Sequence, residues 1–150
     1  KQNITTVLNP APAIELPKSL LELTDIIIPN ETEAELLTGI SINNESDMKE
    51  TATYFLDLGI SAVLITLGEQ GTYCAYQEQY KMIPACNVKA IDTTAAGDTF
   101  IGAFLSELNK DLSNLESAIR LANQASSLTV QRKGAQASIP TRKEVEAEYN

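Results

Sequence analysis

The apolar residues of this chain fall into two rhythms, short unbroken runs and helix-spaced stretches, which take turns along the sequence. β-Branched residues in "NITTVLNP" and the run in "DIIIPN", stopped by Pro29, predict strands buried on two faces. "NETEAELLTG" predicts a short helix: Asn30 is a good N-cap, Glu33 stands at the capping-box position, and Gly39 ends it. A longer helix is predicted over 46–58, with Met48, Ala52, Phe55 and Leu58 on its apolar face and Gly59 as terminator. "SAVLITLG" predicts another buried strand. "EQGTYCAYQEQYKMIPA" sets aromatic and β-branched residues either side of a polar centre and predicts an antiparallel hairpin. Helices follow over 96–108 and 114–131, the second with Leu115, Ile119, Ala122, Ser126 and Thr129 on a small-residue face, and a last one over 141–148.

Strands alternating with helices predict an α/β layered fold, a largely parallel sheet flanked by helices. At 150 residues the chain suits one domain, so one compact unit over 1–150 is expected. Composition narrows the chemistry. With 43% hydrophobic residues and a net charge of -9, the chain has no basic field for nucleic acid or anionic lipid. Histidine is absent, and Cys74 and Cys86 belong to no metal-binding cluster, which sets aside zinc sites and Ser-His or Cys-His catalysis. No run approaches the ~20 apolar residues of a membrane helix and no signal leader is present, so a cytoplasmic location without a membrane partner is expected. The chain opens at Lys1 in what reads as a strand, as though mid-architecture, which predicts a fragment.

"IDTTAAGDTF" brings in chemistry. If a helix begins near Ala96, the backbone N–H groups of Ala95, Ala96 and Gly97 are unpaired at its positive end, and small side chains let a phosphate approach them. Asp98 beside such a pocket could accept a proton from a hydroxyl attacking a phosphoryl group held there. On its own, "AAGD" equally suits an acid that merely favours the first turn of a helix.

"NETE", "TLGEQG", "DTTAAGDTF" and "RKGAQASIP" together resemble, in order and spacing, the motifs of the ribokinase family within the PfkB-type sugar kinases. The likeness runs from "LNPAP" to the last helix and is to the C-terminal half of that family's fold. It implies ATP-dependent phosphorylation of ribose at its 5-hydroxyl, with Asp98 as the base and Ala95, Ala96 and Gly97 as the anion hole. It places Asn30 near the nucleotide phosphates and gives Glu33 a share of magnesium, through water, although the same pair makes a capping box. Thr66, Gly68 and Gly71 become ATP contacts. Asn123 falls near the adenine or ribose of ATP, or is a partly exposed polar residue of its helix.

The resemblance also implies a potassium ion beside the anion hole, with Asp92 supplying charge and the carbonyls of Thr94, Thr129, Arg132 and Gly134, with Ser138, completing an oxygen shell. Magnesium, helix amides and Lys133 or Arg132 would meet the charge of ATP locally. The N-terminal half of the family's fold, which carries most sugar contacts and the lid that mediates homodimers, is absent from these residues. Two alternatives stand beside this reading: a non-catalytic nucleotide-binding or interaction domain, and a kinase of the family acting on another sugar or nucleoside.

Overall fold

The computed structural model describes residues 4–149. In chain order they form β1 (Val7–Leu8), α1 (Lys18–Leu21), β2 (Ile26–Ile27), α2 (Glu31–Thr38), α3 (Glu45–Asp57), β3 (Ala62–Thr66), β4 (Thr72–Tyr76), β5 (Gln79–Ile83), α4 (Ala96–Glu107), α5 (Leu115–Thr129) and α6 (Arg142–Tyr149). Short 3₁₀ turns occupy Gly68–Gln70 and Gln136–Ser138. The strands make one sheet in the order β1-β2-β3-β4-β5, parallel across β1, β2 and β3 and antiparallel between β3 and β4.

The sheet is therefore mixed, parallel across its first three strands and antiparallel where the predicted hairpin joins it. Connection length decides this: a parallel crossover needs about a dozen residues or more, and only the segment 67–71 joins β3 to β4. The hairpin of β4 and β5 turns on Gln77 and Glu78, both with positive φ (49° and 62°), the backbone hand that suits a two-residue hairpin loop. β1 is shorter than expected and only half-buried, because it is an edge strand bonded on one side by β2; the start of the predicted strand, residue 3, lies outside the described residues.

The residues gather into two compact units, one made of the chain up to Leu67 with Thr72–Met82, the other of Gly68–Gly71 with the chain from Ile83 onward. In the first unit, Ile27, Val63 and Ile65 of the central strands meet Met48, Ala52 and Phe55 of α3, and Leu58 packs half-buried at the margin. Phe55 is fully enclosed, a burial that stabilises by about 1.5–3 kcal/mol. The predicted face of α3 is the face it buries.

The second unit is helical. Phe100 and Phe104 of α4 stack with ring centroids 6.3 Å apart, and Ala125, Leu128 and Val145 join α5 to α6. The predicted small-residue face of α5 buries Leu115, Ile119, Ala122 and Thr129. Two hydroxyls on that helix fasten the start of α4: Ser126 Oγ donates to the Ala96 carbonyl at 2.9 Å, and Thr129 Oγ1 donates to Thr99 Oγ1 at 3.0 Å. No helix among the described residues is long and apolar enough to cross a membrane.

Candidate active site

In the first unit, the end of β2 runs into α2 through Pro29 and Asn30. The capping box is complete: Asn30 Oδ1 accepts the Glu33 amide at 2.9 Å, and the Asn30 amide donates to Glu33 Oε2 at 2.9 Å. Glu33 is thereby buried, and Gly39, at φ 74°, closes the helix in the left-handed conformation. Thr66, at the end of β3, forms a parallel bridge with Asn30, and its amide donates to the Pro29 carbonyl at 2.9 Å. Asn30, Glu33 and Thr66 are thus brought together at one end of the parallel strands, where open α/β sheets place ligands.

The second unit holds the small-residue turn. α4 begins at Ala96 with Ala95 as its N-cap, at φ 64° and ψ 9°, and no side chain caps the helix. An L-residue in this left-handed well costs about 1–2 kcal/mol, which the surrounding hydrogen bonds must offset. The Ala96 amide donates to the Thr93 carbonyl at 3.2 Å, so it is not one of the unpaired donors expected from sequence. A tight turn closed by that bond is what tips Ala95 into its conformation. The amides of Ala95, Gly97 and Asp98 meet no acceptor among the described residues, and these three present the positive end of α4.

Asp98 is exposed, with no hydrogen-bond or ion-pair partner among the described residues. It borders a groove of about 290 Å³ with Thr99, Gly102, Ser106, Ile139 and Arg142. A carboxylate left this free can receive a proton from a ligand hydroxyl.

Asp92 clamps two segments. Its Oδ1 accepts the Thr94 amide and its Oδ2 the Gly134 amide, each at 3.0 Å, while the amides of Ile91 and Asp92 donate to the Val130 carbonyl. The Thr94 side chain, then the Gly134 and Thr94 amides, and the charge of Lys133 bring its carboxyl down to about 2. The clamp gathers Asp92, Thr94, Arg132 and Gly134 at the foot of the Ala95 turn. The carbonyls of Thr94, Arg132 and Gly134 accept nothing among the described residues, whereas the Thr129 carbonyl takes the Arg132 amide at 3.0 Å and Ser138 Oγ donates to the Ala135 carbonyl at 2.6 Å. One carboxylate and three open carbonyls are hard oxygen donors that suit a large monovalent cation. No group of three or more acid, Cys or His side chains able to hold a metal occurs among the described residues.

Other expectations are revised. Asn123 is buried, not partly exposed, and its Nδ2 donates to the carbonyls of Ile83 and Pro84 at 3.0 and 3.2 Å. Gly71, at φ 110°, lies so close to the backbone of Ile83, Pro84 and Ala85 that a Cβ would collide with it, so its need is internal packing. Gly68 has open space at its Cβ position and remains the glycine a ligand could approach. The Arg132 guanidinium pairs with Glu144 at 2.8 Å, which leaves exposed Lys133 as the loop cation without a salt bridge among the described residues. Glu144 was missed, although "TRKE" is a capping-box pattern that could have flagged it.

Residues 1–142 match the pfkB family of carbohydrate kinases. A ribokinase of Staphylococcus aureus (strain COL) is 66% identical over 142 residues, which are 95% of this chain and 47% of that protein. A ribokinase of Haemophilus influenzae is 48% identical over 144 residues, 96% of this chain and 47% of that protein. The structure of Arabidopsis thaliana ribokinase complexed with ribose and ATP superposes with a TM-score of 0.88 at 33% identity, over 96% of this chain and 47% of that one. The chain spans about half the length of the curated relatives it matches. With the uncapped turn, its neighbouring acid and the match across residues 1–142, this chain belongs to the pfkB family of carbohydrate kinases.

Proposed function

We propose that this chain is the nucleotide-binding, C-terminal half of a ribokinase, which transfers the γ-phosphoryl group of ATP to the 5-hydroxyl of ribose. The observation that carries the reading is the start of α4: three amides without acceptors, no capping side chain, and an exposed carboxylate at Asp98. Identity of 66% to a ribokinase supports the choice of sugar.

The ribose 5-oxygen attacks the γ-phosphorus, the bond to the β-phosphate oxygen breaks, and ADP leaves. Asp98 takes the hydroxyl proton as that attack proceeds. The amides of Ala95, Gly97 and Asp98 hydrogen-bond the oxygens of the transferred group, where negative charge must be met in the transition state. Asn30, Thr66 and Gly68 border the nucleotide, while Asn123 and Gly71 shape the backbone beside it. Glu33, through water, would share magnesium with the phosphates, and that ion supplies neutralising charge. Asp92 with the carbonyls of Thr94, Arg132 and Gly134 would hold potassium, a fixed charge that steadies the turn; the Thr129 carbonyl and Ser138 hydroxyl would have to give up their present partners to join. The full-length kinase acts as a cytoplasmic homodimer in this reading.

The test is ADP release by the full-length kinase offered ribose, deoxyribose, fructose and adenosine in turn. Release that rises with ribose above the others supports the assignment. Preference for another acceptor moves the chain elsewhere in the family, and MgATP binding without any acceptor-dependent release makes it a nucleotide-binding module.

A further inference from the structure

Glu144 joins two structures that the sequence keeps apart. One oxygen, Oε2, accepts the Thr141 amide at 2.7 Å and the Thr141 hydroxyl at 2.8 Å, completing a capping box at the start of α6. The other, Oε1, accepts from Arg132 Nη2 at 2.8 Å. Arg132 lies two residues before Gly134, whose amide is held by Asp92, and its carbonyl is one of the three that face no donor. One carboxylate thus fixes both the helix and the loop.

A tether is only as firm as its far end. α6 is anchored by Val145, buried against Ala125 and Leu128 of α5, and by Arg142, whose Nη1 donates to Glu107 Oε2 at the end of α4 at 2.8 Å. Beyond half-buried Val130, the loop 131–135 carries no large apolar side chain, and Lys133, Gly134 and Ala135 are exposed. Backbone bonds hold its two ends, the Gln131 and Arg132 amides on the Leu128 and Thr129 carbonyls and the Ser138 amide on the Ala135 carbonyl, while the Asp92 clamp and the Arg132 to Glu144 pair hold its middle. Both partners of that pair keep about two-fifths of their side chains in contact with solvent (36% and 43%), so its effect on global stability is small. Its effect on loop position is more direct, because it is the ion pair that ties the loop to α6, on the side away from the Asp92 clamp.

We propose that Glu144 is a positioning residue for the cation loop: through Arg132 it holds the carbonyls of Arg132 and Gly134 beside Asp92, and so tunes potassium affinity without touching ion or nucleotide. This rests on the potassium site proposed above. It assigns α6, whose Arg142 borders the same groove as Asp98, the further task of bracing that site.

The test compares wild type, Glu144→Gln, Arg132→Gln and the double variant. Glutamine at 144 still accepts from Thr141, and glutamine at 132 keeps the backbone carbonyl, so α6 and the ligand set remain. Two readouts are taken: the potassium concentration that half-maximally strengthens MgATP binding by calorimetry, and the hydrogen-exchange rate of the Gly134 amide in potassium-free buffer. Each single variant is expected to raise the potassium requirement about two- to fivefold and to speed Gly134 exchange, with α6 amides unchanged. The double variant is expected to be no worse than either single one, since both remove the same pair. Unchanged potassium dependence and Gly134 exchange in Glu144→Gln, or additive effects in the double variant, would overturn the assignment while leaving the site itself standing. Wild-type binding indifferent to potassium removes the site, and this role for Glu144 with it.

Discussion

The starts of α2 and α4 make an instructive pair. Both follow a short turn, both carry an acid in the first helical turn, and both lie in stretches that resemble motifs of the kinase family. At α2 the polar groups answer one another, Asn30 capping Glu33 and Glu33 capping Asn30. At α4 an alanine stands where the cap should be, in a conformation that disfavours it, and three amides and a carboxylate have no protein partner among the described residues. Self-satisfied polar groups hold a fold together; groups held in place and left unsatisfied are available to a ligand.

The sharpest way to break the contrast is to remove the acid at α4. Asp98→Asn in the full-length kinase is expected to lower kcat by about 10²- to 10⁴-fold. Its denaturation midpoint should stay near that of wild type, because the side chain has no hydrogen-bond or ion-pair partner among the described residues. A large stability loss with little loss of rate would make Asp98 an ordinary first-turn acid.

Ala95→Val comes next. A β-branched residue at φ 64° is expected to cost about 1–3 kcal/mol in chemical denaturation, whereas Ala95→Gly should be tolerated. Equal behaviour of the two variants would mean that the turn is not held in its present form. Asn30→Ala should cost about 1 kcal/mol by loss of the cap, and a cost near zero would show that the box contributes nothing to α2.

The smallest effect concerns pH. Asp92 titrates near 2 when folded, against about 3.9 for an unperturbed Asp. A depressed folded value contributes stability that is present above the unfolded value and disappears as pH falls through the folded one. The difference in denaturation midpoint between wild type and Asp92→Asn should thus be full at pH 6, shrink below about pH 5 and be gone near pH 1. A difference constant with pH would rule out the carboxylate clamp as its source.

Much of this was legible in the residues because the signals are local. "NETE" encodes its own capping box, Gly39 its own termination, and the spacing of Met48, Ala52 and Phe55 its own buried face. Other features depend on partners far along the chain. Asn123 gives no local sign that it will be buried, since the carbonyls it binds are contributed by Ile83 and Pro84, about 40 residues upstream. Gly71 looked like a ligand-approach glycine until the backbone of 83–85 appeared against it. The expectation for Ala96 failed by one residue, because the turn closes on Thr93 and shifts the open donors to Ala95, Gly97 and Asp98. Resemblance supplied the site residues; the hydrogen bonds separate those free to meet a ligand from those already engaged.

The most direct test is an amide NMR titration of this chain with MgATP. If the start of α4 receives the phosphates, the Ala95, Gly97 and Asp98 amides should shift downfield together and saturate, while the Asp47 amide, held by the Asn44 side chain at the start of α3, moves least. Binding that leaves those three resonances in place, or moves the Asp47 amide more, would contradict the account.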